Sequence, residues 1–411
     1  MTEDLVLIFA YHFPPENAAG AARPFRFYKY LPRFGYECYV ITAADISSLP
    51  DLKAAHVADP FIARPREGFG WQVERFVRKF FLPGVAGTRW AVHAYRTAVK
   101  FLEQNSSRRV TILSTFPPLG TLLAGFLLAR RTRLPWIADF RDPLADNPGS
   151  GDLNDFQQLI HRRLERLFLN RAGCVIANTD AAEEKLKSAY PQHTGKIHRI
   201  WNGFDPEQRL GPSPLPERPF RVYSHVGELY EGRTVAPLLH SLKRLIDSGR
   251  VDPADIKIRL VGASKASSLP DPEFLKDASN AGWLELAPSV PQDEAHFIMR
   301  LSDGLLLIQP HSTVQIPGKL YDYLQIGRPV LAFVPPDSAI ERVLQKSGVP
   351  YRCCYSSHTP AAFDESVLQF FELDTAPVQP GEWFEHEFNA EHHAGKLAHL
   401  IEGLNGSKPL R

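Results

Sequence analysis

Apolar residues in this chain fall into two recurring styles. Leu5–Ala10, Val110–Ser114, Trp136–Ala138 and Cys174–Thr179, the last with a polar end, are unbroken or nearly unbroken apolar runs of strand length. Runs of this kind, without polar alternation, predict parallel strands covered on both faces. Between them the spacing turns helical: Phe27, Tyr30, Leu31 and Phe34 share one face ahead of a strand over Tyr36–Thr42, completing a βαβ unit, and Leu119 to Ala129 reads as an apolar helix. The second half repeats the design. Arg221–Val226, Ile256–Gly262, Leu305–Ile308 and Val330–Val334 are strands, and Val235, Leu238, Leu239, Leu242 and Leu245 mark the buried face of a helix.

The fold class is therefore α/β, with two Rossmann-like domains. Pro206, Pro212, Pro214, Pro216 and Pro219 stiffen the stretch between the two halves and exclude a helix or central strand there. The expected domains are 1–205 and 206–380, followed by a helical segment 381–411 carrying Phe384, Phe388, Leu397, Leu400, Ile401 and Leu404. A length of 411 residues suits two domains of this size.

Charge changes the picture little. Lys plus Arg number 47 against 46 Asp plus Glu, a net of +1, so no global field favours nucleic acid and any anion must be met locally. Four cysteines are too few and scattered for a disulfide framework and suggest a reducing compartment. Leu5–Ala10 is too short for a signal or membrane segment, so a cytoplasmic protein is expected. From Phe69 to Phe81 the apolar positions follow helical spacing, with Arg75, Arg78 and Lys79 largely off that face. This is either a basic amphipathic helix at an anionic membrane, peripheral on its inner face, or an ordinary surface helix.

The densest chemistry lies in Ile316–Leu331, which reads as a turn, a short helix and a buried strand. Pro317 suits the first helical turn, and Gly327 with Pro329 ends the helix. Leu320, Tyr323, Leu324 and Gly327 pack inward, leaving Lys319 and Asp322 three apart on another face. Backbone N–H groups at a helix start bind phosphate, a lysine adds a point charge, and a carboxylate accepts from ribose hydroxyls. A solvated turn is the plain alternative. Arg233 stands near a helix start, where a cation opposes the dipole and an anion would complete the site. Asp139, Arg141 and Asp142 follow a strand, where open α/β sheets bind ligands, although an Arg141–Asp salt bridge fixing the loop explains them equally simply. His12, Glu16 and Gly20 occupy the loop after the first strand, without a Gly-x-Gly-x-x-Gly fingerprint.

Pro317-Gly318-Lys319-Leu320-Tyr321-Asp322-Tyr323-Leu324 with Gly327-Arg328-Pro329-Val330-Leu331 resembles the donor-site segment of GT-B glycosyltransferases, close to glycosyltransferase family 4. The resemblance implies two Rossmann-like domains facing across a cleft, with the last helix crossing back to the first domain. It implies sugar transfer from a nucleotide diphosphate sugar to a hydroxyl acceptor with retained configuration, as in polysaccharide or glycoconjugate synthesis. No separate cofactor is expected; a lipid-linked glycan is one acceptor considered. Donor contacts then map to Gly20, Gly227, Arg233, Pro317, Gly318, Lys319, Leu320 and Asp322. The acceptor or sugar side maps to His12, Glu16, Thr115 of the Ser-Thr-Phe-Pro-Pro segment, Asp139, Arg141 and Asp142, and the catalytic roles to Arg233, Lys319 and Asp142. The family usually has Glu where Asp322 stands, and a second Glu eight residues upstream where this chain has Val314.

No Asp-x-Asp pair holds a divalent ion, so the two cations would neutralise the leaving diphosphate without metal. His386-Glu387 lacks a histidine at position 390, Gly318-Lys319 lacks the Walker context, and no Gly-x-Ser-x-Gly elbow is present. The rival functions are a nucleotide-sugar epimerase on the same fold and a non-catalytic sugar or nucleotide binder.

Overall fold

The computed structural model describes residues 4–16, 18, 20–60, 87–145, 154–229, 232–263 and 266–406. The amphipathic stretch 69–81 lies outside them. The chain divides into two compact units, Met1–Pro206 with Phe388–Arg411, and Glu207–Glu387.

The first unit is built on seven parallel strands, β1 (Asp4–Phe9), β2 (Tyr36–Thr42), β3 (Ala54–His56), β4 (Val110–Phe116), β5 (Trp136–Phe140), β6 (Cys174–Ala177) and β7 (Ile197–Arg199). Their spatial order is β3-β2-β1-β4-β5-β6-β7. The order reverses between β1 and β4, and ligands of open α/β sheets bind beyond the carboxyl ends of strands at such a point. The described helices between the strands are α1 (Ala22–Tyr30), α2 (Thr88–Gln104), α3 (Leu119–Thr132), α4 (Asp155–Arg171) and α5 (Asp180–Ala189). All seven residues of β4 and all five of β5 are buried, the polar Thr111, Ser114, Thr115 and Asp139 among them, as strands covered on both faces require. β5 runs two residues beyond the expected Ala138, which places Asp139 inside the strand rather than in the following loop.

The second unit has the parallel strands β8 (Arg221–Val226), β9 (Ile256–Val261), β10 (Leu284–Ala287), β11 (Gly304–Ile308), β12 (Val330–Phe333) and β13 (Tyr351–Cys354), in the order β10-β9-β8-β11-β12-β13. The reversal here lies between β8 and β11. The described helices are α6 (Ala236–Asp247), α7 (Pro272–Asn280), α8 (Gln292–Arg300), α9 (Lys319–Ile326), α10 (Ala339–Ser347), α11 (Pro360–Phe371) and α12 (Glu382–Phe388), and α13 (Ala390–Gly406) follows in the first unit. Leu238, Leu239, Leu242 and Leu245 of α6 enter the same core as Ile258, Leu306 and Phe333. Each such side chain contributes about 1.5–3 kcal/mol on burial. α6 begins at Ala236, one residue after the expected Val235, because the Thr234 hydroxyl accepts from Ala236 N at 3.1 Å.

The C-terminal segment is sewn into the first unit. Phe204 N donates to Phe388 O at 2.9 Å and Ala390 N returns to Phe204 O at 3.1 Å, a parallel bridge that starts α13. Ala390, Ala394, Leu397, Ala398 and Ile401 then join Val6, Ile8, Phe27, Tyr30 and Leu31 in one core. The Asn202-Gly203-Phe204-Asp205 turn serves the same purpose, with Asp205 accepting from Lys29 Nζ at 2.8 Å and from the Tyr30 hydroxyl. A Cβ on Gly203 would meet Phe388 O at 1.9 Å. Gly203→Ala is therefore expected to cost about 1–3 kcal/mol, with amide exchange in α13 accelerating first; unchanged exchange would refute this anchoring.

Candidate functional site

The candidate residues fall into two groups, one at the switch point of each sheet. In the second unit the chain leaves β8 through Gly227 and leaves β11 through the segment 309–318 into α9. That segment is shaped by its own hydrogen bonds: Gln309 Nε2 donates to Gln315 Oε1 at 3.1 Å, Gln315 N donates to Ser312 Oγ at 3.1 Å, and Ala339 N reaches Thr313 O at 2.8 Å. Val314, where a carboxylate was the alternative, is buried. Pro317 stands just before the helix, with Gly318 at its N-cap, two positions ahead of the first helical residue Lys319 rather than in the first turn expected from the sequence. Leu320, Tyr321, Tyr323, Leu324, Gln325 and Ile326 are all buried, which leaves Lys319 and Asp322 as the partly exposed positions of α9.

Lys319 turns back over the end of β8. Its Nζ donates to Val226 O at 2.8 Å and lies 3.3 Å from His225 Nε2. His225 is fully enclosed and its Nδ1 lies 2.9 Å from Leu306 O on β11, so that nitrogen carries the proton and Nε2 presents a lone pair to the lysine. Burial, then the charge of Lys319, holds the His225 imidazole far below its ordinary range, so it is neutral. Lys319 is itself depressed, to about 7, first by desolvation of its ammonium and then by the charge of Arg233, with Asp322 opposing. Arg233 is buried three residues before α6. Gly227 completes the arrangement: its φ is +114°, and a Cβ there would lie 2.9 Å from Lys319 Nζ. Asp322 faces α8, where His296 Nε2 stands 3.8 Å from its Oδ2.

In the first unit the loops after β1, β4 and β5 meet. Arg141 is buried and donates only to carbonyls, Nε to Phe116 O at 3.1 Å, Nη1 to Gly20 O at 2.8 Å and Nη2 to Pro117 O at 2.6 Å, among the hydrogen bonds of the described residues. It clamps the three loops together. Arg141 departs from a purely substrate-facing role, since three of its five N–H donors are committed to this carbonyl cage. Gly20 is glycine because a Cβ would press to 2.9 Å from Arg141 Nη1 and 3.2 Å from the His12 ring. His12 Nδ1 lies 3.0 Å from both oxygens of Glu16, on the exposed side of the same loop.

Asp139 also departs from its expected role. It is 0% exposed, and both of its oxygens accept from Arg23, Nε at 2.9 Å and Nη2 at 2.7 Å. A buried charge needs such a partner, and the pair ties β5 to α1. Asp142 stays partly exposed, making it the accessible acid of this segment. Its loop is held by Glu165 of α4, whose Oε2 accepts from Leu144 N at 3.2 Å and Ala145 N at 2.9 Å while Oε1 accepts from the Tyr190 hydroxyl at 2.9 Å. Thr115 is buried near the end of β4, its hydroxyl without a partner among the described residues.

Arg23, Glu165, His225 and His296 were not singled out from the sequence. His225 alone left a trace, as a histidine amid the apolar positions of a buried strand. The pairings of Arg23 with Asp139 and of Glu165 with the 144–145 amides span 116 and about 20 residues and leave no local pattern. Among the described residues no group of three or more His, Cys, Asp or Glu side chains is placed to hold a metal, and no helix is long and apolar enough to cross a membrane.

Residues 24–208 match the family model described as Glycosyltransferase Family 4. No curated protein matches the sequence. Among solved structures, a sucrose-phosphate synthase from Thermosynechococcus elongatus superposes with a TM-score of 0.66 at 13% identity, covering 98% of this chain and 99% of that one. A glycosyltransferase from Rickettsia africae gives 0.63 at 11% identity over 99% and 100%. A UDP-GlcNAc 2-epimerase from Neisseria meningitidis gives 0.54 at 12% over 97% and 100%. At such identities the likeness speaks to the fold. The chain thus carries the GT-B glycosyltransferase fold, and its first unit bears the sequence pattern of glycosyltransferase family 4 over residues 24–208.

Proposed function

We propose that the protein transfers a sugar from a nucleotide diphosphate sugar to a hydroxyl acceptor. The observation that carries this reading is the placing of Lys319 and Arg233 together at the switch point of the second sheet, near enough for Arg233 to disfavour the charge of Lys319. A diphosphate relieves that repulsion, and stabilising the charge that develops on it as the sugar leaves lowers the barrier. In this reading the amides at the start of α9 bind the phosphates with Lys319 and Arg233, and Asp322, steadied by His296, accepts from the ribose. Gly227 keeps the approach open for the lysine. Asp142, with His12, Glu16 and Thr115, serves the acceptor or sugar from the first unit, while Asp139 and Arg141 position those loops from within. No metal step and no covalent nucleophile is invoked, in keeping with retained configuration. The acceptor is a glycan or glycoconjugate hydroxyl.

Product analysis tests the reaction class. The protein is incubated with nucleotide sugars, with and without hydroxyl acceptors. Free nucleoside diphosphate accompanied by a glycosylated acceptor supports transfer. Conversion of the donor to its sugar epimer without any acceptor would replace transfer by epimerisation, and binding without turnover would replace it by a non-catalytic role.

A further inference from the structure

β7 is an edge strand of the first sheet, and a hollow of about 630 Å³ lies against it, walled by α5 and α13. A volume of that order is ordinary for a small-molecule site. Three cations line it from three separate elements, Lys187 of α5, Arg199 of β7 and Lys396 of α13, and Glu183 is the one carboxylate of the lining among the described residues. That carboxylate is shared: Oε1 accepts from Lys187 Nζ at 2.8 Å, while Oε2 stands 4.0 Å from Arg199 Nη1, too far for a hydrogen bond. Arg199 is steadied from its face instead, its guanidinium 5.0 Å from the centroid of the Trp201 ring. A stacked guanidinium keeps its edge donors in a fixed fork, the shape that meets phosphate oxygens in pairs. The field in the hollow is positive. Burial, then the charge of Lys187, holds the His198 imidazole below its ordinary range, with Glu183 opposing. Ile197, Ile200 and Leu400 add an apolar wall beside these groups.

We propose that this hollow binds a small organic phosphate monoester. Its phosphate is held by Arg199, Lys187 and Lys396, and its organic body rests on Ile197, Ile200 and Leu400. A monoester near neutral pH supplies close to two negative charges and three acceptor oxygens, which is what a group of cations sharing one carboxylate lacks. Lys396 and Leu400 belong to α13 and the other partners to β7, α5 and the residue after β7, so the ligand ties the C-terminal helix to the sheet edge. The inference does not depend on the transferase reading, and its site lies in the first unit, whereas the diphosphate site lies in the second.

Amide exchange on the full chain, read locally at 197–200 and 395–400, compares glycerol 3-phosphate, glucose 6-phosphate and inorganic phosphate with glycerol and glucose at fixed ionic strength. At least one ester should slow exchange at both places and bind about fivefold or more tightly than its neutral counterpart, the effect of one opposite charge near contact in water. Lys396→Gln should weaken that ester by about fivefold, and Glu183→Gln, which removes the competing carboxylate, should strengthen it by about as much. A merely structural Glu183 would not produce that gain. The protection should survive Lys319→Ala, which disables the second-unit site. No protection by either ester, equal protection by the neutral compounds, tighter binding of inorganic phosphate than of both esters, or an affinity indifferent to Lys396→Gln and Glu183→Gln would overturn the proposal.

Discussion

Lys319→Ala should lower turnover by about 10²-fold or more, the scale seen when one preorganised charge at a leaving group is removed. The lysine is costly to keep where it is, since its ammonium is enclosed by Val226 O, His225 and the field of Arg233. This gives a second signature that a merely structural lysine would lack. With a folded pKa of about 7, the free protein holds Lys319 only partly protonated at neutral pH. A diphosphate favours the charged form, so binding takes up a proton. Affinity for a nucleoside diphosphate should therefore fall as pH rises from 7 to 9, by up to about tenfold per unit. Calorimetry in two buffers of different ionisation heat measures the uptake, and Lys319→Ala should abolish it. The linkage to folding has a defined sign. The folded pKa lies below the unfolded value, so between about 7 and 10.5 the unfolded chain holds more protons. This group's contribution to stability is full above the unfolded pKa and is lost as pH falls through 7. A pH-independent affinity in the native protein would contradict the assignment.

Arg23→Ala should destabilise the first unit by about 3–5 kcal/mol, because it strands the buried Asp139 carboxylate. Arg23 also donates to Ile200 O at 2.9 Å, Trp201 O at 2.7 Å and Asn202 Oδ1 at 3.2 Å, so its loss frees the turn that anchors the C-terminal segment. The double variant Arg23→Met with Asp139→Leu should recover much of the stability, since an apolar pair removes both desolvation costs. Urea unfolding of the three proteins is the measurement. A loss below about 1 kcal/mol for Arg23→Ala would show that the pair is not the buried tie described.

The sheets were legible from the sequence because their strands are covered on both faces and their composition declares it. β2 and β8 have the bounds read from the pattern, and β1, β4, β5, β6, β9, β11 and β12 differ by one or two residues at an end; the short edge strands β3, β7, β10 and β13 were not read from it. The short helix α9 was equally plain, since Gly327 and Pro329 end it and its inward positions repeat at helical spacing. The loop chemistry was less legible for a definite reason. Asp139, Arg141 and Asp142 look alike in sequence as polar residues after an apolar run, yet they part ways once long-range partners are known. Asp139 is absorbed by a guanidinium 116 residues away, Arg141 by three carbonyls, and Asp142 alone keeps an exposed face. Lys319 was read as a charge on a helix start; that it folds back onto His225 and Gly227 depends on β8 and β11 being neighbours, which topology decides.

The most direct test of the account is thermal stabilisation by UDP, GDP, TDP and ADP of the native protein beside Asp322→Ala and Lys319→Ala. Ligand that binds only the folded state raises its stability by mass action, about 2.7 kcal/mol at a hundredfold excess over Kd. The account predicts that one nucleotide raises the native melting temperature and that the shift vanishes in both variants. No shift with any of the four, or a shift that survives in Lys319→Ala, would contradict a diphosphate site at the switch point of the second sheet.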